Sequence, residues 1–107
     1  MYKVGIYVPE QALEEMKKAL FEAGAWHFGG YDSCCWQTKG RSQYRSLADS
    51  LPSNGEEGKL IQITEYRIEM ICVDEKVSDV VEVIKKTHPY EQPAWDLVRL
   101  AIDIDDN

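Results

Sequence analysis

The chain has few cysteines, and their arrangement argues against most cysteine chemistry. Cys34, Cys35 and Cys72 are odd in number and show no Cys-x-x-Cys spacing. We therefore expect buried, reduced thiols in a reducing compartment rather than a disulfide or a metal site. Cys34 and Cys35 are adjacent in a strand-like run, so their side chains should point to opposite faces of a sheet.

Long hydrophobic runs and a positive charge balance are also missing. No apolar stretch reaches transmembrane length and no charged-then-apolar leader is present, which predicts a protein that does not enter membranes. Residues 1–6 have the pattern of a strand, so we expect a cytosolic location. The formal net charge of −7 disfavours nucleic acids and anionic membranes as partners. Lys39, Arg41 and Arg45 form the only basic cluster, and a solvated loop explains them.

The chain is long enough for one domain, which we assign to residues 1–107. The first half predicts a β-α-β unit. Residues 4–8 alternate with the period of a strand, and Pro9 then suits a first helical turn. Residues 10–23 place their apolar side chains on one helical face, and Gly24 suits the end of that helix.

The second half repeats this order. The returning strand of the first half is predicted over residues 31–38, and a long strand over residues 60–73 begins the second unit. Asp74 can cap a helix that runs to about Thr87, where the His-Pro junction ends it. The last strand is predicted over residues 94–102.

Two segments show little periodicity. Residues 39–59 are rich in glycine, serine, proline and asparagine, and we interpret them as a long loop. Residues 103–107 are predicted to be a frayed acidic tail.

The two halves show a weak internal repeat. Val8-Pro9-Glu10 matches Val73-Asp74-Glu75, and Tyr31-Asp32 matches Trp95-Asp96, at offsets of 65 and 64 residues. Two such units predict an α+β, ferredoxin-like β-α-β-β-α-β sandwich, in which a four-stranded antiparallel sheet carries both helices on one face.

The second face of this sheet is predicted to need a cover. The long strand carries apolar residues on both sides: Ile68, Met70 and Cys72 on one, Ile71 and Val73 on the other. The chain has no spare helix to cover the second side, so we expect a homo-oligomer.

Three ordered motifs carry a family resemblance. They are Gly24-Ala25-x-His27-x-Gly29-x-Tyr31-x-x-Cys34, then Gly55-Glu56-x-Gly58-Lys59-Leu60 leading into Tyr66-Arg67-Ile68-Glu69, and His88-Pro89-Tyr90-Glu91 followed by Ala94-Trp95-Asp96. With these motifs the chain resembles, from its first strand to Leu100, the CutA-like (PII-like) insert domain of the YqfO family of Nif3-type dinuclear-metal proteins.

The resemblance implies the fold shared by CutA and PII proteins and a tendency to form trimers. It does not imply the metal-dependent activity suggested for the full-length family, because that family carries its metal ligands in two halves that flank this domain. Two departures stand out. Trp26 stands where the family pattern usually has glycine, and residues 40–46 lack a glycine and a proline of the usual loop.

The two histidines could serve a site or the fold. We predict that both helices end at the same end of the sheet, with the two returning strands on opposite edges, about 14 Å apart. His27 and His88 would then be too distant to bind one metal within a chain. They could instead meet across a subunit boundary, where Glu91 could join them. The simpler interpretation is structural: His88 caps the last carbonyls of its helix, and Glu91 is a turn residue.

These observations predict a non-catalytic binding or regulatory domain, since no nucleophile, base and orienting group form a recognisable set. Its ligand sites would be clefts between subunits lined by residues 24–32, 40–46 and 88–96. The candidate ligand-binding residues are His27, Tyr31, His88, Tyr90 and Glu91. One alternative is a CutA-type protein that binds a divalent metal through His27, His88 and Glu91, with Cys34 a weaker candidate. Another is an assembly partner of a separate Nif3-type dinuclear-metal protein.

Overall fold

The predicted sandwich is confirmed by a computed structural model, which describes residues 1–27, 29–47 and 58–101. The elements, in order, are β1 (Tyr2–Pro9), a short 3-10 turn (Glu10–Ala12), α1 (Leu13–Glu22), β2 (Trp36–Arg45), β3 (Leu60–Cys72), a second 3-10 turn (Asp74–Lys76), α2 (Val77–Thr87) and β4 (Trp95–Arg99). The four strands form one antiparallel sheet in the order β2-β3-β1-β4. None of the helices in these described ranges is long and apolar enough to cross a membrane.

The core lies between the sheet and the two helices. Alternate residues of the two central strands point towards the helices, and they are almost completely buried: Val4, Ile6 and Val8 of β1, and Ile68, Met70 and Cys72 of β3. The helices contribute Leu13, Met16, Leu20, Val80 and Ile84 to the same cluster. Each large side chain buried in this way stabilises the fold by roughly 1.5–3 kcal/mol. The helical and strand periodicities of the sequence therefore converge on one layer.

The loop predicted over residues 39–59 is wrong in its first third. β2 starts at Trp36 and runs to Arg45, so residues 39–45 belong to the strand, and residues 31–35 lie outside it. Residues 40–45 pair in register with residues 60–65 of β3. Their hydrophobic alternation is weak because most of these side chains are exposed, and cross-strand pairing defines this part of the strand. Residues 48–57 of the predicted loop lie outside the described residues.

This pairing produces a protruding two-stranded hairpin. β1 pairs with β3 only as far as Glu65, so residues 40–45 and 60–64 extend beyond the rest of the sheet. We call these two segments the hairpin arm. At the other end of the chain, β4 stops at Arg99, and the predicted acidic tail, residues 103–107, lies outside the described residues.

The two helices end at opposite ends of the sheet, which corrects the prediction that they end together. Each helix returns from a central strand, and β1 and β3 are antiparallel, so the helices are antiparallel too. Beyond α1, the Trp26 backbone N–H donates to the Ile71 carbonyl at 2.9 Å. Beyond α2, His88 reaches the carbonyl of Tyr7, which is paired with Arg67. Four residues of β3, about 13 Å, therefore separate the two ends.

No helix in the described part of the chain packs on the second face of the sheet, and this face is not uniformly apolar. We call it the open face, and in the described chain it comprises Lys3, Gly5, Tyr7, Trp36, Thr38, Glu65, Arg67, Glu69, Ile71, Asp96 and Val98. Ile71 is buried, whereas Val73, just past the end of β3, is 38% exposed. The prediction of apolar residues on this side holds for Ile71, but charged side chains occupy the centre of the face.

Candidate functional site

An ion network occupies the centre of the open face. The guanidinium of Arg67 makes two hydrogen bonds to the carboxylate of Asp96, at 2.9 and 3.1 Å, and a third to Glu69 at 2.9 Å. Lys3 lies 3.9 Å from the other oxygen of Glu69. Hydrogen bonding to Asp96, opposed in part by burial, raises the pKa of Arg67 above its usual range. Two cations thus balance two carboxylates, and Arg67 is held in one orientation.

The network exists because β1 presents no side chain at its crossing point. Arg67 lies on β3 opposite Tyr7, and Asp96 lies on β4 opposite Gly5 of β1, so the arginine side chain runs diagonally over Gly5 to reach Asp96. The guanidinium lies over Gly5, and it is also 5.0 Å from the ring centre of Tyr7, within cation–π range. A cation in this position is fixed by its carboxylate partners, by the aromatic ring and by the absence of a Cβ.

His88 forms the structural centre of the turn between α2 and β4. It is buried; its Nε2 lies 2.7 Å from the Tyr7 carbonyl oxygen, and its Nδ1 accepts the backbone N–H of Tyr90 at 3.1 Å. Because Nδ1 accepts, the ring proton lies on Nε2 and is donated to Tyr7. Both ring nitrogens are therefore used within one chain, which leaves no lone pair for a metal or for general-base chemistry.

Tyr90 extends this turn to the base of the hairpin arm. Its ring packs 4.9 Å from that of His88, and its phenol is hydrogen-bonded to the carboxylate of Glu65, which is only 7% exposed. Burial first, and then this hydrogen bond and the negative charge of Glu65, raise the pKa of Tyr90. The phenol stays protonated and supplies a donor to a buried carboxylate.

A separate cleft of about 400 Å³ lies at the other end of the sheet, between the end of α1 and the end of β3. We call it the Trp26 cleft, and its lining residues include Phe21, Gly24, Ala25, Trp26, His27, Asp32, Ser33, Ile71, Val73 and Lys76. The loop that forms its wall has two non-glycine residues with left-handed backbone, Trp26 at φ 36° and Ser33 at φ 57°. Such strain concentrates at sites where a fixed geometry is needed.

The structure brings some of the predicted site residues together and separates others. His88 and Tyr90 are in contact, and Glu91 is exposed in the same turn. His27 lies at the opposite end and is exposed, and Tyr31 is 74% exposed near it. Within the described ranges no group of three or more His, Cys, Asp or Glu side chains is placed to hold a metal ion. A metal site through His27, His88 and Glu91 stays a prediction that would need a second chain.

Sequence reasoning missed the central roles of Arg67, Glu65 and Lys76. Arg67 and Asp96 were both inside recognised motifs, but nothing in the sequence linked the two motifs. The available signal was a charged residue in the middle of a strand predicted to be central, where an apolar residue is usual. Lys76 lies in the turn before α2 and lines the cleft only because the antiparallel topology brings that turn beside the end of α1.

The three cysteines are free thiols, but only Cys72 is buried as the sequence predicted. Cys72 is buried in the core, and burial raises its pKa to about 11. Cys34 and Cys35 are partly exposed, and burial raises the pKa of Cys35. A raised pKa leaves little thiolate, so neither Cys35 nor Cys72 has the activation that a nucleophilic cysteine requires.

Comparisons with known proteins define the class of this fold. No family model matches the chain. The PII-like protein CutA from Nostoc sp. PCC 7120 superposes with a TM-score of 0.67 at 16% identity, covering 94% of this chain and 82% of that one. A Bacillus cereus protein related to NIF3 superposes with a TM-score of 0.77 at 33% identity, covering 94% of this chain and 26% of that one. The chain is therefore a domain of the CutA/PII-like fold.

Sequence similarity narrows this class. The chain is 36% identical over 101 residues to a GTP cyclohydrolase 1 type 2 homolog of Halalkalibacterium halodurans, covering 94% of this chain and 27% of that protein. It is a CutA-like domain of the kind found in Nif3-type proteins, as its motifs predicted. It spans about a quarter of the length of the curated relatives that it matches.

Proposed function

We propose that this chain is a non-catalytic binding or regulatory domain that works as a homo-oligomer, most simply a trimer in the cytoplasm. The observation that carries the proposal is the open face. No helix in the described ranges packs on it, and between its buried ends at Glu65 and Ile71 it exposes Tyr7 by 40%, Trp36 by 64% and Val98 by 51%. A sheet face with large exposed apolar side chains is typical of an interface.

The ion network favours burial of this face against another copy. An unpaired charge costs several kcal/mol when it is buried, whereas a cation already bonded to two carboxylates has much of that cost offset within its own chain. Arg67 is in this condition, since Asp96 and Glu69 both bond it. A second copy can therefore cover the centre of the face without supplying a compensating charge.

The hairpin arm gives a second reason for association. Two strands without a third strand or a helix against them are marginally stable in water. Over residues 40–45 and 60–64 no third described strand pairs with the arm, and the described molecule is 51 Å long but only 23 × 22 Å across. Contact with a neighbouring copy would supply the missing support.

The hydrogen bonds of His88 support the non-catalytic part of the proposal. Both ring nitrogens bond to backbone groups, so the imidazole orders the turn instead of accepting a substrate proton. Tyr90 and Glu91 would then contribute to binding between subunits, with His27 and Tyr31 serving a separate cleft. Because the relatives are about four times longer, an assembly with a separate Nif3-type protein stays a prediction.

Sedimentation velocity at micromolar concentration tests the proposal. We expect one species of about three times the 12.3 kDa chain mass. Val98→Glu adds a charge to the open face and should dissociate it. Ser78→Glu is the matched control, because Ser78 is exposed on α2, away from both the open face and the hairpin arm. Monomers of the unmodified chain would refute the proposal, as would equal effects of the two variants.

A further inference from the structure

The Trp26 cleft has the volume and the apolar lining that are typical of a small-molecule site. Its volume of about 400 Å³ falls within the roughly 300–1,000 Å³ typical of ligand pockets. The apolar part of its lining comes from Phe21, Ala25, Trp26, Ile71 and Val73. These side chains come from α1, the loop after it and the end of β3, so one chain forms the cleft without help from a neighbour.

Two opposite charges lie on the lining of this apolar cleft. Lys76 and Asp32 both line it and both are exposed, yet neither forms an ion pair with any residue in the described part of the chain. The Lys76 stem is also positioned. A Cβ on Gly24, which has φ +104°, would lie 2.9 Å from Lys76 Cδ, so the stem packs on the bare glycine. The lining therefore offers an ammonium and a carboxylate at separate places.

Trp26 is held in a conformation that favours glycine. A non-glycine residue in the left-handed region costs about 1–2 kcal/mol, and Trp26 has φ 36°. The hydrogen bond from its backbone N–H to Ile71 does not explain the tryptophan, because glycine would make the same bond. What tryptophan adds is the indole, which lines the cleft and packs against the core.

We propose that the Trp26 cleft binds a small zwitterion with an apolar body, of the chemical class of an apolar α-amino acid. Its carboxylate pairs with Lys76, its ammonium pairs with Asp32, and its side chain packs against Trp26 and Val73. The inference rests on the proposed binding role and gives it a ligand class. It does not depend on oligomerisation, because all of these residues belong to one chain.

Calorimetric titration with L-leucine and L-phenylalanine tests the class. We expect saturable binding of at least one of them, and binding weaker by about fivefold for leucinamide, which lacks the carboxylate, and for N-acetyl-leucine, which lacks the ammonium, since exposed ion pairs contribute up to about 1 kcal/mol each. Failure of both amino acids to bind at millimolar concentration would overturn the proposal. Equal affinity for the amino acids and both derivatives would overturn it too.

Variants identify the partners of each charge. Lys76→Gln should weaken binding of the amino acid by about fivefold and leave the affinity for leucinamide unchanged. Asp32→Asn should also weaken binding of the amino acid by about fivefold, but it should leave the affinity for N-acetyl-leucine unchanged. Lys86→Gln is the control, because Lys86 lies on α2 away from the cleft lining. Trp26→Asn tolerates the left-handed backbone and should abolish binding, and Trp26→Phe should retain it. Loss of binding in the Lys86 control would contradict the assignment.

The two proposals fail separately. A monomer that binds these amino acids would refute the oligomeric role and leave the cleft assignment intact. A trimer that binds neither of them would refute only the cleft assignment.

Discussion

Gly5 lies directly beneath the guanidinium of Arg67, and the bare backbone at this position lets an arginine of β3 cross β1 to reach Asp96 on β4. A Cβ built on Gly5 would lie 2.6 Å from Arg67 Cζ. Two strand spacings, about 10 Å, separate β3 from β4, so only a long side chain over an unobstructed strand can make the bond. One glycine therefore connects two of the sequence motifs.

Gly5→Ala should reduce the free energy of unfolding by about 1–3 kcal/mol, as overpacking at a filled site usually does. The new methyl group would displace the guanidinium and break its bonds to Asp96. Urea denaturation measures the change. Gly40→Ala is the matched control, since a Cβ there meets nothing within 4 Å. Because alanine is otherwise favoured over glycine within a strand, equal losses in the two variants would contradict the role of Arg67 at Gly5.

The two histidines should respond differently to truncation. His88→Ala leaves the buried Tyr7 carbonyl and the Tyr90 N–H without partners, so we expect a loss of about 2–4 kcal/mol. His27→Ala should change stability by less than about 0.5 kcal/mol, because His27 is exposed. Thermal and chemical denaturation measure both. A neutral His88→Ala would contradict the structural role of the imidazole.

Divalent metal should not stabilise the protein through His88. Both of its ring nitrogens are engaged, so binding would first break a backbone hydrogen bond. We expect one equivalent of zinc to leave the melting temperature unchanged. A rise that disappears in both His27→Ala and His88→Ala would instead support the intersubunit metal site predicted from the sequence.

Tyr90→Phe should destabilise the protein by about 1–3 kcal/mol, because it removes a donor from the buried Glu65 carboxylate. Tyr31→Phe removes a hydroxyl from a side chain that is 74% exposed and should be neutral. The comparison is made by urea denaturation at neutral pH. Adding Glu65→Gln to the Tyr90→Phe variant should recover part of the lost stability if the unpaired carboxylate causes the loss. An unchanged loss in the double variant would show that the phenol stabilises the fold through another contact.

Alkaline pH should weaken the fold through Cys72. Burial raises its pKa from 9.0 to about 11. The folded state then holds the thiol proton more tightly than the unfolded chain, so this contribution to stability is complete below pH 9 and is lost as the pH rises towards 11. Cys72→Ala should show a shallower fall in unfolding free energy across that interval. Parallel curves for the two proteins would refute the assignment.

The elements of this fold could be predicted where burial imposes a period. The 3.6-residue stripe of each helix and the alternation of β1 and the inner part of β3 reflect contact with the core, and those elements were predicted within a few residues. β2 was misplaced because most of its side chains are exposed and its outer residues show no hydrophobic period. Their strand conformation follows from pairing with β3.

The candidate sites were predictable only in part. The His88 turn could be recognised as a motif, but its two backbone hydrogen bonds depend on the Tyr7 carbonyl, 81 residues away. His27 and His88 were predicted at the same end of the sheet, but they lie at opposite ends. The two central strands are antiparallel, so the helices that follow them return in opposite directions. Lys76 and Asp32 are far apart in sequence and meet at the cleft only in the folded chain.

Local residue choice in the sequence determined the two amphipathic helices, the central strands, the fold class and the recognisable turns, because each of these is encoded within a short segment by periodicity, glycine and proline. The tertiary structure alone decided which segments meet: Arg67 with Asp96 across Gly5, Tyr90 with Glu65, and Lys76 with Gly24. These contacts join segments that are distant along the chain, and their geometry depends on strand order and register, which no single segment specifies.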